Sequence, residues 1–511
     1  MSIKSYLSIL LASATIYIPQ IALEAAQLAP NVLFIAVDDL KPMIGAYGDR
    51  TILTPQIDRL AARGTTFLNN HCQVAVCGPS RASLLTGLRP DTTQVYDLKT
   101  KMRDIHPDIL TLPQHFKNNG YETVGMGKIF DPRCVDGRQY QDRPSWSVPF
   151  MYHYGKVESA AGFVNTKTIE WFRSQKDANG KAIPEWNIKG IPPVEGSEAV
   201  PDNAYSDGAM AEAAVEWIDK LAGADKPYFL AVGFHKPHLP FVAPKKYWDL
   251  YERDQFNVAA YQTAPAGTPE FTLQPGYEIR GKYDVPRQGT FPDDLQLELI
   301  HGYHACVSYI DAQIGKLLDA LEASGEADNT IIVLWGDHGW HLGDHSMWCK
   351  HSVYEQATRS PLILVAPEQQ QRGSFVQSPT EFTDLFPTLC DLAGLEHPEV
   401  LEGISLSSLL DEPEGRVRNV AMSQYARKAG RHDLVGYSFR SHRFRYTEWR
   451  IATGPGKKGD GPVYARELYD YVLDPLETRN LIEDLSNSRQ LKQMEFEAKT
   501  LLEANGIMTV R

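Results

Sequence analysis

Cys77 stands immediately before Gly78-Pro79-Ser80-Arg81 in the stretch VAVCGPSRASLLTGLRP, residues 74–90. Proline suits the first turn of a helix, so the spacing predicts a helix from this point to Gly87 with Cys77 at its N-terminus. Unpaired N–H groups at such an end stabilise anions, which would make a thiol there acidic and reactive. Four readings stand open on this stretch alone: apolar filler, half of a disulfide, thiolate nucleophile, or precursor of a residue that is no longer cysteine. A phosphatase-type C-x5-R loop would need arginine at position 83, which is Ser83; the arginine is Arg81.

The other reactive side chains follow short apolar runs. NVLFIAV (31–37) leads to Asp38 and Asp39, YETVGM (121–126) to Lys128, YFLAVGF (228–234) to His235, and TIIVLW (330–335) to Asp337 and His338. Three carboxylates together make a hard, oxygen-rich site of the kind Ca²⁺ or Mg²⁺ prefers. Zinc is the weaker fit: His235 and His238 are separated by Lys236-Pro237, and proline disfavours the helix on which an H-x-x-H pair converges. His341 and His345 read as surface residues or as neighbours of the ligands.

These residues need elements that carry them to one place. Each apolar run, together with PLILVA at 361–366, reads as a buried parallel strand bounded by turn signals. Helical patterns lie between them, most clearly over 295–324, where Tyr303, Val307, Ile310, Ile314, Leu317 and Leu321 recur at steps of four and three before Gly325. Strands alternating with helices predict a doubly wound α/β sheet, whose ligands bind beyond the carboxyl ends of the strands. Four strands would thus deliver two acids, a lysine, a histidine and an Asp-His pair to one edge.

At 511 residues the chain is long enough for a large domain and a smaller one. Residues 1–26 have the layout of a secretory signal peptide, Lys4 followed by an apolar stretch and small residues, and predict an exported protein, periplasmic or extracellular. Residues 27–417 form the catalytic domain of this reading. From 418 to 511 aromatic and basic residues alternate, which predicts an antiparallel meander as a second domain. Segments 134–205 and 255–290, rich in proline, glycine and aromatics, read as long ordered loops. No internal run reaches the roughly 18 apolar residues of a membrane span, and a formal charge of −13 argues against nucleic acid. It leaves room for an anionic substrate in a locally cationic pocket. Six widely spaced cysteines without a C-x-x-C pair exclude a small disulfide framework, and if Cys77 does chemistry at most two bridges can form.

The motif CGPSRASLLTG matches C-x-P-S-R-x4-T-G, and the chain thereby resembles the type I, formylglycine-dependent sulfatases. NVLFIAVDDL, LTPQIDRLAARGTTF, GYETVGMGKIF, FHKPHLPF, GDHGWHLGDH, WCKHS, SPLILVAP and DLFPTL extend the resemblance in order over nearly all of residues 31–481. Within the family it is most similar to the iduronate-2-sulfatases, through RPDTTQVYDL, AVGFHKPHLPF, the Asp-His of GDHGW, and FRYTEW. The resemblance implies an alkaline-phosphatase-like fold: a large, mostly parallel sheet between helices, with a small C-terminal antiparallel sheet. It implies that Cys77 is oxidised to formylglycine by a formylglycine-generating enzyme or an anaerobic maturase. Asp38, Asp39, Asp337, His338 and residue 77 would ligate the cation, Ca²⁺ ahead of Mg²⁺. Catalysis would fall to Cys77, Arg81, Lys128, His235 and Lys350: the hydrate at 77 attacks sulfur, the three cations offset charge on the sulfate, and His235 protonates the departing oxygen. Lys128, His235, His238, Trp340, Lys350 and His351 would line the substrate pocket.

Two positions depart from that pattern. Asp131 stands where these sulfatases carry a histidine, and reads as a base, as a salt-bridge partner of Lys128, or as a gap filled by His238. His351 replaces an aromatic residue, which leaves the sugar open. The run 427–450 holds seven Lys or Arg against two acids; it would either grip anions along a glycan or pair with the acidic bulk of the protein. The activity expected is hydrolysis of sulfate esters on a sulfated polysaccharide or oligosaccharide. Alternatives are galactose or other sugar sulfates of algal glycans, phosphonate or phosphate esters, and a non-catalytic glycan-binding role.

Overall fold

The computed structural model describes residues 29–508 apart from 154, 157–158, 160–161, 275, 454–457 and 485–487; the signal peptide expected over residues 1–26 lies outside the described residues. A seven-stranded sheet forms the centre. Its strands are β1 (Asn31–Val37), β2 (Thr65–Phe67), β3 (Glu122–Gly127), β4 (Tyr228–Phe234), β5 (Thr330–Gly336), β6 (Leu362–Val365) and β7 (Ser374–Val376), in the order β7-β2-β6-β5-β1-β4-β3. Every residue of β1, β4 and β5 is buried, as expected of central strands covered on both faces.

Alternation along β1 divides its side chains between two cores. Leu33, Ile35 and Val37 pack in the core that holds helix α2 (Ser206–Leu221) and helix α3 (Asp293–Ala323), whereas Val32, Phe34 and Ala36 pack in the one that holds helix α1 (Cys77–Thr86). Helix α3 realises the expected periodicity: all six of its repeating residues are buried, and Gly325, at φ 78°, follows its end. Helix α1 begins at Cys77 itself, all ten of its residues are buried, and Gly87 closes it in the left-handed conformation (φ 67°).

One strand differs from the expectation. The run at 361–366 forms β6, which pairs antiparallel with both β5 and β2, while every other pairing in the sheet is parallel. A parallel return requires a crossover, usually a helix, to bring the chain back to the starting edge. Between Gly336 and Leu362 the longest helix is only Glu355–Thr358, so the chain stays at the carboxyl edge and re-enters the sheet from there. This connection keeps Lys350 beside the ends of β1 and β5. The short strands β2 and β7 carried no signal in the sequence.

The C-terminal meander is present as β8 (Ala421–Ala429), β9 (His432–Arg440), β10 (Phe444–Ile451) and β11 (Val463–Asp470), antiparallel and in sequence order. Helix α4 (Arg489–Ala504), which the sequence reading missed, covers it with Leu491, Met494, Ala498 and Leu502 against Tyr437, Phe439, Tyr446 and Leu468. The loops expected at 134–205 and 255–290 contain the helices Thr166–Ser174 and Tyr277–Lys282. All six cysteines are free and buried. No helix among the described residues is long and apolar enough to cross a membrane.

Candidate active site

The ends of β1 and β5 and the start of α1 meet as the sequence predicts. Donor atoms of Asp39, Cys77, Asp337 and His338 lie within 4.8 Å of one another, and so do those of Asp38, Asp39, Cys77 and His238. His338 Nδ1 lies 2.9 Å from the Gly339 carbonyl, which only accepts, so Nδ1 carries the proton. In the neutral ring Nε2 then carries the lone pair, 3.4 Å from Cys77 Sγ, 3.3 Å from Asp39 Oδ1 and 3.6 Å from Asp337 Oδ1. An imidazole lone pair facing carboxylate oxygens at these distances is a donor set that fits a divalent cation. Asp39 holds this place with φ 60°, a strained conformation for a non-glycine residue, tied by Tyr303 Oη donating to its carbonyl (2.9 Å) and by its own N–H donating to Asp337 Oδ1 (3.0 Å).

Arg81 does a different job from the one the sequence suggested. It is fully buried, with Nε 3.0 Å from Asp337 Oδ2, Nη2 3.2 Å from Asp38 Oδ1, and Nη1 on the carbonyls of Lys128 and Ile129. Those contacts make it a clamp on two of the carboxylates, and it does not line the cavity over the site. Trp340 is also corrected: it is fully buried, 5.0 Å beneath the Lys350 ammonium, and supports that lysine instead of forming a pocket wall.

Lys128 and Lys350 do reach the centre. Lys128 Nζ is 2.5 Å from Asp38 Oδ2. Lys350 Nζ lies 2.8 and 3.1 Å from the two Asp39 oxygens and 3.5 Å from Cys77 Sγ, between two residues with positive φ, Cys349 (72°) and His351 (70°). Asp131 does not pair with Lys128; it is taken by Arg133 at 2.7 Å. Burial alone would raise its pKa, but the Arg133 hydrogen bonds and the Lys128 charge bring it to about 2, too acidic for a base.

Burial, reinforced by Asp38, pushes the Cys77 thiol well above its usual pKa, against the pull of Lys128 and Lys350. The acidic helix-terminal thiol expected from the sequence is therefore not what this environment makes. His235 extends from the end of β4 with its ring Nδ1 3.4 Å from Asp207 Oδ1 and its Nε2 3.3 Å from Tyr152 Oη. Burial lowers its pKa, with Asp207 opposing.

Two participants escaped the sequence reading. Asp207, in the first turn of α2, accepts from the backbone N–H of His235 (2.8 Å) and of Lys236 (2.9 Å). Glu278, on the helix Tyr277–Lys282, lies 3.0 Å from His238 Nε2 and 3.3 Å from Lys350 Nζ. Burial would raise its pKa, yet Lys350 and His238 hold it well below the usual carboxylate range. Neither acid sits at a strand end, and only an acid in the opening turn of a predicted helix could have flagged them. Above the cluster a cavity of about 760 Å³ opens, lined among others by Cys77, Lys128, His235, His238, Lys350 and His351.

Comparison with known proteins agrees with this geometry. A family model described as Sulfatase matches residues 30–395, and one described as N-sulphoglucosamine sulphohydrolase, C-terminal, matches residues 343–504. Iduronate 2-sulfatase of Homo sapiens is 34% identical, over 89% of this chain and 92% of its own. A solved 2-O GAG sulfatase superposes with a TM-score of 0.64 at 23% identity, covering 94% of this chain and 93% of that one. The phosphonate monoester hydrolase of Agrobacterium radiobacter gives 0.68, also at 23% identity, with 93% and 95% covered.

Proposed function

Since this chain belongs to the sulfatase family and is a sulfuric ester hydrolase, we propose that it cleaves sulfate esters of an acidic saccharide, in the manner of an iduronate-2-sulfatase, with residue 77 as nucleophile after conversion of Cys77 to formylglycine. The observation that carries this reading is the setting of Cys77: its sulfur opens on the cavity, Lys350 and His338 lie within 3.5 Å, and burial holds the thiol protonated. A neutral buried thiol is a poor nucleophile. A hydrated aldehyde at the same position would supply a hydroxyl to attack sulfur and a second one whose deprotonation releases sulfate, which requires a maturation enzyme as partner.

Asp38, Asp39, Asp337 and His338 would hold a divalent cation, Ca²⁺ in preference to Mg²⁺, and once bound it would polarise the sulfate oxygens. The rest falls to the chain's own side chains. Lys128 and Lys350 stand at the cavity floor, where their ammonium groups donate to sulfate oxygens and offset the charge gathering there. Arg81 keeps Asp38 and Asp337 in place. His235, oriented by Asp207, delivers a proton to the departing sugar oxygen.

The test is sulfate release from a 2-O-sulfated uronate disaccharide, measured beside hydrolysis of an aryl phosphate and an aryl phosphonate. Wild-type protein should prefer the sulfate ester, and Cys77→Ala should lose about 10³-fold or more of that rate. Faster phosphonate turnover would reassign the enzyme to that ester class.

A further inference from the structure

The cavity is more cationic than the chemistry at its floor requires. Among the described residues six Lys or Arg side chains line it against four carboxylates, in a chain of formal charge −13. All four carboxylates are engaged: Asp38 with Lys128 and Arg81, Asp131 with Arg133, Asp207 with His235, and Glu278 with Lys350 and His238. Lys236 turns its ammonium onto the carbonyls of His238 and Pro240, at 2.7 and 2.8 Å, and braces its own loop.

Arg133, Arg138 and Lys282 are left facing the opening. Arg138 and Lys282 make no ion pair among the described residues. The Arg138 guanidinium lies 4.7 Å from the Tyr152 ring centre, on the side of the cavity that carries His235. Arg133 is aimed by Asp131, which accepts from its Nε at 2.9 Å and its Nη2 at 2.7 Å, yet half of its side chain stays exposed. Lys282 is half-buried, and its pKa is lowered by burial first, with Lys236 and Arg133 adding to the effect and Glu278 opposing it. Lys282 lies near enough to Lys236 and Arg133 to feel their like charges, and such a group gains from an anion that the protein itself does not provide.

We propose that Arg133, Arg138 and Lys282 form a second anion subsite on the rim of the cavity, receiving a carboxylate or a further sulfate of the saccharide whose ester is cleaved at residue 77. The inference rests on the sulfated-saccharide reading given above. The planar forks of Arg133 and Arg138 suit either oxyanion, and Lys282 adds a point charge. One anchored sulfate plus one rim contact fixes both position and orientation of the sugar ring, which a single anion site cannot do.

The double variant Arg138→Gln/Lys282→Gln tests this against three esters: 4-methylumbelliferyl sulfate, a 2-O-sulfated uronate disaccharide, and the same disaccharide with an added 6-O-sulfate. The ratio of kcat/KM on the first disaccharide to that on the aryl sulfate should fall by about tenfold or more, mainly through KM. A fall confined to the 6-O-sulfated disaccharide would identify the second sulfate as the anion held. Unchanged ratios for both would overturn the subsite. Absence of sulfate release by wild type from every ester would count against the proposed function instead. Calorimetric titration of the disaccharides then decides the subsite separately: weaker binding to the variant upholds it, and equal binding overturns it.

Discussion

His235 depends on a residue far from it in sequence. Asp207 takes its backbone N–H and its ring Nδ1, so the imidazole cannot rotate away from the cavity. Burial lowers the pKa of His235, so its charged form is lost at lower pH than for an exposed histidine, and a rate that needs that proton declines as pH rises through the lowered value. The expected profile of kcat/KM therefore has its basic limb below about 6.5. Asp207→Asn removes the carboxylate that opposes burial, which should move that limb further toward acid and lower kcat by about tenfold to hundredfold. A pH–rate profile of both proteins checks this; coincident basic limbs would remove His235 from the role of acid.

The elements place these residues through their ends. Gly127 closes β3 with φ 76° just before Lys128, and a Cβ there would lie 2.1 Å from Met210 Sδ and 2.2 Å from the Gly233 carbonyl oxygen. A Cβ on Gly233, two residues before His235, would lie 2.2 Å from the Lys128 carbonyl oxygen. Neither backbone can yield without moving the lysine. Gly127→Ala should cost about 1 to 2 kcal/mol from the left-handed backbone, with the two close contacts adding to it, and should reduce activity at temperatures where the protein remains folded; thermal melts paired with sulfate release would show it. The strand ends explain what was legible. Asp38, Asp39, Lys128, His235, Asp337 and His338 follow continuous apolar runs, a local signal, and a buried sheet needs no distant information to be recognised. Glu278 and Asp207 reach the site from helices whose position depends on packing against the whole sheet; their place in a first helical turn is a local mark that does not say where the helix lies. The direction of β6 was hidden for a related reason: its apolar run looks the same in either direction, and only the absence of a crossover helix between Gly336 and Leu362 distinguishes them.

At the scale of the molecule, Arg440, Arg443, Arg445 and Arg450 of the basic run in the C-terminal sheet pair with acids of the protein itself. Arg440 lies 2.9 Å from Glu355, Arg443 2.6 Å from Asp470 and Arg450 2.7 Å from Glu448, while Arg445 reaches both Glu355 and Glu477. Sequence composition shows an excess of charge without showing where its partners lie. Glu355 belongs to the short helix that follows Lys350, so its two arginines tie the sheet to the loop bearing that lysine. Removing one partner of a buried pair strands the other charge, and Glu355→Ala should destabilise the protein by about 3 to 5 kcal/mol, visible as a lower urea midpoint. A midpoint equal to that of wild type would mean that the sheet is held by its apolar contacts alone.

What residue 77 becomes decides the mechanism. Tryptic digestion of alkylated protein purified from its own host yields the peptide 64–81, which carries both Cys72 and Cys77. Mass spectrometry should find Cys72 alkylated and residue 77 converted from thiol to aldehyde. Two alkylated cysteines in protein that releases sulfate from esters would contradict the mechanism, because turnover would then proceed without formylglycine.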